Sequence, residues 1–187
     1  MKKTKFISSI LIFIITISSV IIVQAQNAWI NEIHYDNAGT DVDEIIEVII
    51  ENPGTYNLAD FQVHLYNGNG GVMYDSRAIS TFTVGAGSGN FTFYFLNYTA
   101  AGSGIQNGEP DGMALSYQGT LITGQFLSYE GTFVATDGPA AGITSADIGV
   151  GEDNTTPRSI TAIVRHRYTL QRFCLGAACD SYPRCTE

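Results

Sequence analysis

The sequence predicts an all-β fold: an immunoglobulin-like antiparallel β-sandwich preceded by a signal peptide. Three observations predict it. Short apolar segments alternate at period two, the spacing that gives a strand one buried face. Clusters of Gly, Asn, Asp and Pro separate those segments roughly every 8–15 residues. No stretch after residue 25 carries a 3.6-residue apolar period with helix caps. Seven or so short strands of this kind suit two stacked sheets.

The elements follow in chain order. Met1, Lys2, Lys3 and Lys5 form a basic start, residues 6–23 are apolar, and Val23-Gln24-Ala25 ends in a small residue. That is the layout of a secretory signal, with cleavage expected after Ala25. About 18 apolar residues could also just span a bilayer as an uncleaved anchor. After cleavage no transmembrane span is expected. Residues 28–35 alternate in part, with Ile30 against Asn31 and Glu32 against Ile33. Residues 44–51 are rich in Ile and Val, end in acids, and stop at Asn52-Pro53-Gly54. In residues 61–66, Phe61, Val63 and Leu65 share a face. Asn67 to Gly71 supplies residues that tolerate positive φ in a hairpin turn, and residues 72–74 return. Residues 85–89, Gly-Ala-Gly-Ser-Gly, read as a flexible loop. In residues 91–96, Phe91, Phe93 and Phe95 share a face. Residues 113–117 and 125–129 read as two further strands joined near Gly119 and Thr120.

Charge is uneven. With residues 1–25 removed no lysine remains, and six Arg against eighteen acids leave a net charge of −12. Such a surface repels phosphate backbones, so direct nucleic-acid binding is disfavoured. Residues 26–157 hold one basic residue, Arg77, against sixteen acids, whereas residues 158–187 hold five Arg against two acids. Cys174, Cys179 and Cys185 also fall in that tail. Three is an odd number for a secreted chain and their spacing lacks the paired Cys-x-x-Cys of a zinc site. We therefore divide the chain into residues 1–25 (signal peptide), 26–157 (sandwich domain) and 158–187 (atypical basic tail).

Residues 29–36 (Trp-Ile-Asn-Glu-Ile-His-Tyr-Asp) followed by residues 44–48 (Glu-Ile-Ile-Glu-Val) resemble the opening signature of the lamin-tail domain. Residues 65–71, 110–115, 125–131 and 135–142 continue the resemblance, which covers about residues 28–157. Trp29, Asn31, Glu32, Glu47, Pro110, Asp111 and Gly112 are its structural signature. The runs look most like the version in secreted bacterial proteins, often ahead of an extracellular nuclease. The resemblance implies an immunoglobulin-like accessory or attachment module without catalysis of its own. Such domains close with a Ser-Leu-Gln-Leu strand, and this chain departs from that pattern after Pro157. Codons compatible with residues 160–164 give that motif when read one base out of register, so residues 158–187 are consistent with a frameshifted read. On that reading the domain lacks its native last strand and leaves a sheet edge unpaired.

Candidate sites are few. Asp36, Asp41, Asp43 and Glu44 crowd one loop and its exit, and loop carboxylates suit calcium, although the spacing is not that of an EF-hand. The same acids also suit a solvated loop. Glu32 and Glu47 fall at strand positions where carboxylates accept hydrogen bonds, and burial would raise their pKa. His34 and His64 lack a third metal ligand at a plausible spacing. Ser128 lacks the Gly-x-Ser-x-Gly context of a nucleophile elbow. No catalytic residue is assigned. The reading is a secreted or surface-associated, non-catalytic binding or structural module whose partner is a protein, a cell-wall component or a glycan. The alternatives are a truncated accessory domain of an extracellular nuclease and a calcium-stabilised adhesion module.

Overall fold

The computed structural model describes residues 27–98, 104–153 and 155, with the backbone of residues 162–163. The predicted signal segment and most of the basic tail lie outside the described residues. Among the described residues ten strands make two five-stranded sheets. The first sheet takes β1 (Ala28–His34), β2 (Ile45–Glu51), β5 (Thr83–Ser88), β6 (Phe91–Asn97) and β10 (Ala162–Ile163), in the order β10-β1-β2-β6-β5. The second takes β3 (Phe61–Asn67), β4 (Val72–Ala78), β7 (Asp111–Tyr117), β8 (Thr120–Tyr129) and β9 (Ala146–Asp147), in the order β4-β3-β7-β8-β9. All pairings are antiparallel except β8 with β9. The described helical turns are short 3₁₀ segments, and no helix among the described residues is long and apolar enough to cross a membrane.

The two sheets bury one shared core. Ile30, Ile33, Ile46, Val48 and Ile50 from the first meet Phe61, Val63, Leu65, Met113 and Leu115 from the second. Period two explains β2 and β3 directly. It fails in β1, where Ile30 and Ile33 are three residues apart yet both buried in that core. A bulge resolves this. Ile30 pairs with Val48 and Glu32 with Glu47, so Asn31 is the extra residue and the strand changes face there.

A second, smaller cluster lies beyond the second sheet. Tyr66, Ala114 and Phe126 pack under Phe133, Ala135 and Ala140 of the segment after β8. The Tyr66 hydroxyl donates to Asp137 O at 3.3 Å and accepts from Ala140 N at 3.3 Å. That segment therefore acts as a cover on the sheet.

One expectation is sharpened and two change. Phe91, Phe93 and Phe95 do share a face, but the face turned toward the main core carries Tyr94, with Leu96 packed against it. Phe93 instead pairs with Ile49, and Phe91 meets Trp29 edge-on at 5.7 Å. Residues 85–88, read as loop, belong to β5. Within it the closest approach is at Gly87, where a Cβ would stand 3.2 Å from Phe91 O of the neighbouring strand. The tail also supplies a strand: Ala162 and Ile163 pair with Ile33 and Glu32. The edge of β1 is thus covered at those two positions rather than left bare.

Candidate functional site

The polar residues of the fold gather at three places. The first is the exit of β1. His34 Nδ1 donates to both carboxylate oxygens of Glu152 at 3.1 Å, and its Nε2 accepts from Asn37 Nδ2 at 3.0 Å. Glu152 also accepts Tyr35 N at 2.7 Å and Asp36 N at 3.1 Å. The Tyr35 ring stacks on Tyr129 at 3.9 Å, and its hydroxyl accepts Glu152 N at 2.6 Å and donates to Glu130. The hydrogen bond to Glu152 raises the His34 pKa, and burial opposes it. Sequence reasoning missed Glu152, because no local pattern links a loop acid to a strand more than a hundred residues earlier.

The four calcium candidates divide. Asp36 is 6 % exposed, and its carboxyl lies against those of Asp41 and the Asn107 side chain. Burial, then the neighbouring Asp41 carboxylate, raises the Asp36 pKa. Asp36 Oδ1 and Asp41 Oδ1 are buried without a donor. Asp43 is exposed, with a left-handed φ of 58°. Glu44 is buried with its carboxylate against Gly104. Among the described residues no group of three or more His, Cys, Asp or Glu side chains is arranged to hold a metal ion. Any cation held here would need amide or carbonyl oxygens beside Asp36 and Asp41.

The second place is the outer face of the first sheet. The bulge aims Asn31 Nδ2 at Glu47 Oε1, 2.8 Å away. Glu47 is buried, and Glu32 lies directly across the strand pair. Burial pushes the Glu47 carboxyl up to about 7; the Asn31 bond pulls it down, and Glu32 adds to the rise. This agrees with the sequence expectation for a buried strand carboxylate. His64, on the second sheet, is held by Ser116 Oγ at 2.8 Å and Ser76 Oγ at 3.0 Å. Burial lowers its pKa to about 4, so it is neutral at pH 7.

The third place joins two loops at one end of the second sheet. Asp111 Oδ1 accepts Gly68 N at 2.8 Å and its Oδ2 accepts Gly108 N at 2.9 Å. A Cβ on Gly68 would stand 1.8 Å from Pro110 O, and one on Gly112 would stand 2.3 Å from Leu127 O. The run Pro110-Asp111-Gly112 is therefore a junction where backbones touch and a carboxylate ties two loops. Beside it is a groove of about 340 Å³, lined by Asn67, Asn69, Gln106, Asn107, Glu109 and Asp111 among others. No sequence pattern marked this groove: Asn67 and Asn69 belong to the turn read at residues 67–71, and Gln106 and Asn107 carry no local pattern.

Ser128 Oγ donates to Gly131 O at 2.7 Å, which fixes the turn after β8. Comparison with known proteins finds no family model, no curated protein and no solved structure that matches the chain.

Proposed function

We propose that this chain is a secreted or surface-associated binding module of the lamin-tail type, immunoglobulin-like in strand arrangement and without catalysis of its own. One observation carries the reading: three buried polar clusters are spent on the chain itself. Glu152 closes on His34 and two backbone amides, Asp111 on two glycine amides, and His64 on two serines. Groups spent on fixing loops and sheets build a scaffold, and the ligand then meets the loops that scaffold presents. Expression of the full-length gene in a bacterium tests this. The product is expected outside the cytoplasm, beginning at Gln26 and sedimenting with wall polysaccharide. Retention in the cytoplasm with residues 1–25 intact overturns it.

A second reading, calcium stabilisation, is favoured by the donorless Asp36 and Asp41 oxygens. A hard cation accepts carboxylate and amide oxygens together, so Asn107 would complete the set. A ligand that binds only the folded form must stabilise it. At a calcium concentration about tenfold above Kd, the melting midpoint is expected to rise by about 5 °C relative to chelator. Asp41→Asn is expected to abolish the rise. An unchanged midpoint in calcium and in chelator removes this reading.

A further inference from the structure

We propose that the groove beside Pro110 binds a neutral, polyhydroxylated ligand, a segment of glycan chain; this rests on the binding-module reading above and names the ligand class of that module. The chemistry of the walls selects the class. Side-chain amides carry both donors and acceptors on one planar group, and so do sugar hydroxyls. Asn67, Asn69, Gln106 and Asn107 place four such groups around one concavity of about 340 Å³, within the range that holds a small ligand. Glu109 adds an exposed acceptor, and no cation is among the lining residues. Anionic ligands such as phosphate or sulfate esters would meet carboxylates instead of the Arg or Lys that recognise them.

The walls are also held in place before a ligand arrives. Asn67 Nδ2 donates to Gln106 Oε1 at 2.7 Å, and Asn67 Oδ1 accepts Asn69 N at 2.8 Å. Gln106 is fixed in turn: its N–H donates to the Tyr74 hydroxyl at 2.9 Å, and its carbonyl accepts the Tyr129 hydroxyl. Asp111 clamps the backbone on both sides through Gly68 and Gly108. Binding therefore orders few groups, which lowers its entropic cost. Asn69 and Asn107 are exposed at the rim, where Asn107 Nδ2 also reaches Asp41 Oδ2 at 3.4 Å and keeps its amide oxygen for an incoming chain.

The test is titration calorimetry of the full-length secreted protein with neutral hexasaccharides (chitohexaose, cellohexaose, mannohexaose) and with a sulfated heparin hexasaccharide. Saturable binding of at least one neutral sugar is expected, with the sulfated one inert. Asn69→Ala and Asn107→Ala are each expected to weaken that binding about three- to tenfold, the worth of one or two hydrogen bonds. Val84→Thr, at an exposed position on the edge strand of the other sheet, is the control and should titrate like the parent. Matching melting midpoints show that each variant is folded. Equal affinity in the asparagine variants, preference for the sulfated sugar, or no binding of any neutral sugar overturns the groove. If the chain still sediments with the wall while these titrations fail, the groove alone is wrong. If it stays in the cytoplasm, the module reading has failed.

Discussion

Glu47 carries the clearest pH dependence of any single side chain here. Its carboxyl ionises near pH 4.5 in the unfolded chain and at about 7 in the fold. The folded state therefore holds the proton more tightly. The stability this brings is complete below pH 4.5 and is lost as pH rises toward 7. Glu47→Gln keeps an oxygen for Asn31 and removes the titration. The variant is expected to match the parent near pH 4.5 and to exceed it at pH 8 by about 3 kcal/mol. Denaturant unfolding across that range checks this, and parallel curves would refute it. His64 acts in the opposite sense. Its folded pKa of about 4 lies below the unfolded value of 6.5. Its contribution is present above pH 6.5 and fades as pH falls toward 4. That Glu47 sits on a strand and accepts a hydrogen bond was legible in the sequence; that it is buried was left open there. The pairing of Glu47 with Asn31 was not legible, because it needs the bulge that turns Asn31 out of register.

At the level of strands and turns, the chain's own chemistry gives two tests. The close approach of β7 to β8 leaves no room for a methyl group on Gly112. Gly112→Ala is expected to cost about 3 kcal/mol, because the obstacle is a backbone carbonyl and cannot rotate away. A thermal midpoint within a degree of the parent would contradict this. The β7–β8 hairpin turns on Gln118 and Gly119, both at positive φ (50° and 74°). Gln is strained there and Asn is not. Gln118→Asn is expected to raise stability by about 0.5 kcal/mol, read as a small rise in thermal midpoint. Strands with one apolar face were readable from sequence: β3 buries Phe61, Val63 and Leu65 as its alternation implies. In β6 both faces are aromatic, so alternation marked a strand without marking which side faced the core. β5 was unreadable because a Gly-Ala-Gly-Ser-Gly run signals a turn until the strand it pairs with is known.

Across the whole molecule, polar closure joins distant parts of the chain. Glu152 takes its hydrogens from His34, Tyr35 and Asp36, where the first strand ends. Glu152→Ala would leave two buried amides and an imidazole without an acceptor. A loss of about 3–5 kcal/mol is expected, measurable by urea unfolding of the mature protein. A loss below about 1 kcal/mol would show that solvent replaces the carboxylate freely. The same closure bears on how the molecule comes into being. A chain that emerges from its N-terminus, at a ribosome or through an export channel, delivers His34 118 residues before Glu152. Until that acid arrives, the end of the first strand has amides and an imidazole waiting for an acceptor. Fragments released short of residue 152 would remain open there, with those donors exposed to solvent and to proteases.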